Sequence, residues 1–143
     1  MIEQNGRIMA IDLGEKRIGI ALSDALRMAA KGHSVIKRKS RREDFARYQQ
    51  IIAEQEITLV VVGLPVPLSG IEGDKAAWAR SYAAELQTHL TIPVVLWDEA
   101  FTTQRAAESL RAQGRKLKKI KERVDAVAAA FILQDYLEAQ GSG

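Results

Sequence analysis

Ile8-Met9-Ala10-Ile11-Asp12-Leu13-Gly14 is an apolar run that breaks first at a carboxylate and then at a glycine. Read from Arg7 to Leu13 it is apolar on both faces, as expected of a central strand covered on two sides, which implies an α/β sheet. The single acid needs an explanation. Desolvating an ionised carboxylate costs several kcal/mol unless hydrogen bonds, a cation or a metal compensate. Asp12 is therefore a candidate for chemistry, although Asp-Leu-Gly also suits the opening of a turn into the next strand.

Working outward, Gly14-Glu15-Lys16 turns the chain into a second strand, Arg17 to Ser23. There Ile18, Ile20 and Leu22 alternate with Gly19, Ala21 and Ser23, so one face is large and the other small. Small residues admit either a closely packed helix or a substrate backbone beside Asp12. A third strand is expected from Gly32 to Lys37, and the short connections imply an antiparallel meander. Ser40-Arg41-Arg42-Glu43 has capping-box spacing, so a helix starts there, with Phe45, Tyr48, Ile51 and Ile52 on its core face. Ile57 to Val62 reads as a buried strand, parallel to the first because a helix intervenes.

The loop Ser69-Gly70-Ile71-Glu72-Gly73-Asp74 precedes a helix marked by Trp78, Tyr82, Leu86 and Leu90. Its two glycines suit a phosphate cradle or plain loop flexibility. Pro93 to Trp97 is another apolar strand, ended by Asp98-Glu99 much as Asp12 ends the first. Thr102 or Thr103 caps a helix expected to run to about Gln113, with Gly114 as its stop. In the last helix Asp125 shares a face with Ala128, Ala129, Ile132 and Tyr136, beside an apolar stripe of Val124, Val127 and Phe131. A charge on a face meant for burial needs a partner. Arg17, Lys16 or a helix N-terminus would answer that structurally, and a metal would answer it chemically.

Composition bounds the possibilities. At 143 residues, 47% hydrophobic and 27% charged, the chain fits one domain with its own core, residues 1–140, followed by a flexible tail at 141–143. The absence of cysteine excludes disulfides, thiolate zinc sites and cysteine nucleophiles. With no apolar signal region and no apolar run of about 18 residues, the expectation is a soluble cytoplasmic protein without membrane contact. Charge is concentrated. Arg111, Arg115, Lys116, Lys118, Lys119, Lys121 and Arg123 stand against the single acid Glu122, a local +6 in a chain whose total is +3. Lys37-Arg38-Lys39 with Arg41-Arg42 is a second cluster, and both read either as solvated faces or as polyanion-binding surfaces. His33 and His89 lack ligand spacing and read as surface or strand-edge residues, while Trp78 and Trp97 read as core anchors.

Asp12, Asp98-Glu99 and Asp125 thus fall at strand ends or on a helix face of one α/β sheet. Hard divalent cations take oxygen ligands from a few carboxylates, water and substrate phosphate. Beside a basic surface, such a cluster suggests metal-assisted phosphodiester hydrolysis, with two ions about 4 Å apart.

Ala10-Ile11-Asp12-Leu13-Gly14, Lys16-Arg17-Ile18-Gly19-Ile20-Ala21, Ser23-Asp24, Val62-Gly63-Leu64-Pro65, Asp98-Glu99 with Thr102-Thr103, and Asp125-Ala126-Val127-Ala128-Ala129 together resemble the YqgF or RuvX family, described as pre-16S rRNA nucleases and as Holliday junction resolvase-like. The resemblance spans nearly the whole chain in order. It implies an RNase H-like fold, a five-stranded mixed sheet in the order 3-2-1-4-5 with helices on both faces. By the same resemblance Asp12, Glu99 and Asp125 are the catalytic metal-binding acids, with Asp98 a fourth candidate, and the cofactor is Mg²⁺ or Mn²⁺. In that strand order Glu99 lies about 9.6 Å from Asp12, two strands at about 4.8 Å each, and must lean inward from beyond the strand end. The family commonly carries an Arg after the Asp-Glu pair, where this chain has Ala100. Lys16, Arg17, Arg115, Lys116, Lys118, Lys119, Lys121 and Arg123 are the candidate nucleic-acid contacts.

The expected function is a metal-dependent endonuclease on structured nucleic acid, either an rRNA precursor or branched DNA. Symmetric cutting of two strands would suit a homodimer. The rival from another class is a non-catalytic nucleic-acid-binding or ribosome-assembly protein on the same fold. A nucleotide-binding fold of the actin and sugar-kinase type ranks lowest, because no duplicated domain is present to close over a nucleotide.

Overall fold

The computed structural model describes residues 5–65, 73–98 and 117–141, the side chains of 117–125 and of residue 141 excepted. In chain order the elements are β1 (Arg7–Leu13), β2 (Arg17–Ser23), β3 (Ala30–Lys37), α1 (Arg41–Gln55), β4 (Ile57–Leu64), α2 (Asp74–His89), β5 (Val94–Asp98) and α3 (Leu117–Gly141). The loop at 69–72 and the helix expected to end near Gln113 lie outside the described residues. The strands form one sheet in the order β3-β2-β1-β4-β5. Its first three strands make the antiparallel meander, while β4 pairs in parallel with β1, and β5 with β4. Elements end close to where the sequence set them, with β3 starting two residues early and β4 running two residues further. The last helix continues through Gly141, one residue into the expected tail.

Alternation along the strands sorts the core into two layers. Met9, Ile11, Ile18, Ile20, Leu22, Val60 and Val62 pack on Phe45 and Tyr48 of α1 and on Tyr82 and Leu86 of α2. On the other side Ile8, Ala10, Ala21, Leu59 and Val61 meet Ala129, Ile132, Leu133, Tyr136 and Leu137 of α3. A fully buried aliphatic or aromatic side chain of this kind contributes about 1.5–3 kcal/mol. The small face of β2 is thereby explained: α3 lies on it. A Cβ placed on Gly32 of β3 would sit only 3.4 Å from the Ala126 carbonyl oxygen, so the helix backbone runs close against the meander.

Ser40 caps α1 as its spacing implies, its Oγ accepting the Glu43 N–H at 3.2 Å. The Glu43 carboxylate accepts from the Ser40 hydroxyl at 3.0 Å. Helix α1 ends without a glycine: Glu56 takes the left-handed conformation, φ 54°, and β4 begins at the next residue. Behind the sheet, Tyr48 and Tyr82 hydroxyls meet at 2.8 Å and Tyr82 donates to Asp44 Oδ2 at 3.3 Å. Asp44, fully buried, also accepts from Arg47 Nη2 at 2.6 Å and from the Lys39 N–H at 3.0 Å.

Candidate active site

β1, β4 and β5 all end at one edge of the molecule, the edge where β2 begins and β3 finishes. Asp12 lies there, 6% exposed. By alternation it shares the face of Ile8 and Ala10, the face covered by α3. Its partner on β2 is Gly19. On β4, Ile11 pairs with Val62, so the next residue in register beside Asp12 is Gly63. The buried carboxylate is thus flanked in register on both sides by residues without side chains.

The turn after Asp12 is tightly held. The Gly14 N–H donates to the Arg17 carbonyl at 2.9 Å, and a Cβ on Gly14 would lie 2.5 Å from that same oxygen, so only glycine fits. Arg38 clamps the turn from outside, with Nη1 donating to the Gly14 and Glu15 carbonyls at 3.2 Å each. Its guanidinium also stacks on Trp78, 4.1 Å from the ring centroid. In the sequence Arg38 is only one member of a basic cluster that suits a solvated face or a polyanion-binding surface, because a contact reaching from the end of β3 to α2 has no local signature.

Helix α3 runs antiparallel to β1. Ala126 lies over Gly32, while Gln134, two turns on, accepts the N–H of Ala30 at 3.2 Å, toward the far edge of the meander. Residue 125 immediately precedes Ala126 on this helix, which covers the sheet face that Asp12 shares, one turn before the buried pair Ala128 and Ala129. The Asp125 side chain, and Glu99 and Ala100 altogether, lie outside what is described. Asp98 ends β5 opposite Leu64. Val95 and Trp97 pack on the α3 side and Val94 and Leu96 on the α2 side, so alternation sets Asp98 on the α2 side, away from Asp12. Among the described residues, no three His, Asp or Glu side chains gather to hold a metal.

Of the candidate phosphate contacts, Lys16 is exposed in the β1–β2 turn, and Arg17, half-buried, opens β2 on the Asp12 face. Lys118, Lys119, Lys121 and Arg123 lie along the first turns of α3, and Arg115 and Lys116 fall outside the described residues. Asp24 proves to be a loop clamp at the opposite edge. Its carboxylate accepts the N–H groups of Ala29, Met28 and Leu26, and these bonds, Ala29 foremost, hold its pKa below the ordinary value. His33 is exposed on β3, and His89 is exposed with its ring 5.3 Å from Phe45.

Comparison with known proteins finds relatives over nearly the whole chain. Residues 6–139 match a family model described as RuvX: Holliday junction resolvase. A protein of Koribacter versatilis named "Putative pre-16S rRNA nuclease" is 42% identical over 137 residues, 96% of this chain and 90% of that one. Among solved structures, RuvC of T. thermophilus in complex with a Holliday junction substrate superposes with a TM-score of 0.57 at 18% identity, covering 95% of this chain and 96% of that one. Fowlpox virus resolvase, in complex with Holliday junction DNA, gives 0.58 at 14% identity, covering 94% and 98%. With the sheet order, these likenesses establish the RNase H-like fold of the resolvases.

Proposed function

The chain belongs to the RuvX family, and from that premise we propose that it is a divalent-metal-dependent endonuclease that hydrolyses phosphodiester bonds in structured nucleic acid. One observation carries the reading. Asp12 is buried at the strand-end edge between Gly19 and Gly63, on the sheet face that α3 covers.

The donor set fits a hard cation: Asp12, Glu99 and Asp125 offer only carboxylate oxygens, and no cysteine competes for a softer metal. Asp12 would hold Mg²⁺ or Mn²⁺ together with Glu99 and Asp125. A cation bound there supplies Lewis acidity, which activates water and stabilises the leaving oxygen. Asp12 contributes a carboxylate carried on backbone that the sheet holds on one side and the Gly14 turn on the other. Lys16 and Arg17, with the basic segment from Arg115 to Arg123, neutralise and orient backbone phosphates beside that edge. Asp98, set by alternation toward α2, plays no part in this arrangement. Ala100 leaves the cationic role to those neighbours.

Two substrates follow from the relatives: an rRNA precursor, as the curated relative is named, and a four-way DNA junction, as the family description states. We place the enzyme in the cytoplasm and, for paired cuts in a junction, as a homodimer. No helix among the described residues is long and apolar enough to cross a membrane. The test is cleavage of both substrates, labelled, with Mg²⁺ or Mn²⁺, beside Asp12→Asn and a chelator control. Metal-dependent cutting that disappears in the variant is expected, and the faster substrate identifies the physiological class. Binding of both without cutting of either would favour an assembly protein instead.

A further inference from the structure

We propose that Lys37, Lys39 and Arg42 form a phosphate-binding track that leads one arm of a nucleic-acid substrate away from Asp12 along the same edge, over the end of β3 and the first turn of α1. The inference rests on the nuclease reading above and adds a surface to it.

Six cations crowd residues 37–47, and the structure divides them into two groups. Arg38 clamps the Gly14 turn and stacks on Trp78. Arg41 pairs with Glu85 at 3.2 Å, and Arg47 pairs with Asp44 at 2.6 Å. Those three are consumed by the fold. Lys37, Lys39 and Arg42 are exposed, and among the described residues none of their charged groups has an acidic partner. The acids that follow them in sequence are already engaged, Glu43 with the cap of α1 and Asp44 in the buried network.

The backbone that presents these cations is fixed. The Lys37 carbonyl accepts from Arg47 at 2.6 Å, the Arg38 N–H donates to the Lys16 carbonyl at 2.8 Å, and the Lys39 N–H donates to Asp44. Binding a polyanion there orders only side-chain ends, which lowers its entropic cost. Position ties the track to the site. Lys37 stands opposite Arg17 in the β2–β3 register, and a shallow groove lined by Lys16, Arg17, Val35, Ile36 and Lys37 continues toward the Asp12 edge. Two strands across at about 4.8 Å each and two residues along at about 3.4 Å each put Lys37 about 12 Å from Asp12. A nucleic-acid strand carries one phosphate per about 3.4 Å of duplex axis, so the track meets the substrate roughly three to four nucleotides from the cut. Such contacts position the backbone and read no sequence.

The test compares Lys37→Gln/Lys39→Gln/Arg42→Gln with its parent, both carrying Asp12→Asn so that substrate stays intact. Affinity for a four-way DNA junction and for an rRNA precursor fragment is measured by fluorescence anisotropy across a potassium chloride series. Circular dichroism checks folding, and Lys39→Gln alone serves if the triple variant folds poorly. Loss of three phosphate contacts flattens the plot of log affinity against log salt by about 2–3, and the single change by about 0.7–0.9. A reduced slope on either nucleic acid supports the track and shows which nucleic acid it holds. An unchanged slope in a folded variant overturns it and leaves the nuclease reading standing. Failure of the parent itself to bind either nucleic acid overturns both.

Discussion

A single atom decides the residue after Leu13. Gly14 has no Cβ, and the space where one would sit is filled by the Arg17 carbonyl oxygen 2.5 Å away, which is backbone and cannot swing aside. Gly14→Ala must open the turn that follows Asp12. Overpacking of this kind typically costs about 1–3 kcal/mol, and urea denaturation should show a loss in that range together with slower cleavage, since the strand end carrying Asp12 moves with the turn. A variant as stable as the parent would mean that the turn relaxes freely. At this scale the sequence was informative where the chemistry is local. Asp12 stood out because a carboxylate interrupts an apolar run, and Ser40 because a cap has a fixed spacing. Arg38 and Asp44 did not stand out. Their contacts join residues distant in sequence or hidden in a helix's first turn, where an acid is ordinary.

Between elements, the two faces of the sheet are served differently. The α3 face is lined with Ala10, Ala21 and Gly32 and takes a helix backbone at close range. The α1–α2 face is bulky and closes over the Tyr48–Tyr82–Asp44 network. Burial, then the paired Tyr82 hydroxyl, push Tyr48 well above the ordinary phenol range, and burial raises Tyr82 likewise. The sign follows directly: the native state keeps protons that the unfolded chain releases near pH 10, so this contribution is fully present below pH 10 and is lost as pH rises beyond it. Each tyrosine should steepen the decline by about 1.4 kcal/mol per pH unit. Denaturant unfolding between pH 8 and pH 11 should therefore show Tyr48→Phe/Tyr82→Phe falling less steeply than the parent above pH 10. Parallel curves would contradict the assignment. The strands and helices themselves were legible from period and caps. The small face of β2 was ambiguous between helix and substrate, and only the path of α3 decided it.

For the whole molecule, one edge gathers the ends of β1, β4 and β5, the start of β2 and the basic segment that follows β3, while the opposite edge is tied down by Asp24 and Arg27, whose guanidinium bonds to the Gly6 and Asn5 carbonyls. The sheet order was read from a resemblance and the structure agrees with it. Which acids share the Asp12 face was less legible: alternation along β5 sets Asp98 toward α2, and a strand's period is visible in sequence only once its bounds are known. The measurement that tests the central claim most directly is single-turnover cleavage of the preferred substrate by Asp12→Asn, Glu99→Gln, Asp125→Asn and Asp98→Asn, with binding followed in parallel. Losing an outer-shell partner of a metal ligand typically costs 10–100-fold, so losing a ligand itself should exceed about 100-fold. The account predicts losses of that size for Asp12, Glu99 and Asp125 with binding retained, and near-parental cleavage for Asp98→Asn. Full activity in Asp12→Asn, or a loss in Asp98→Asn as large as that in Glu99→Gln, would contradict it.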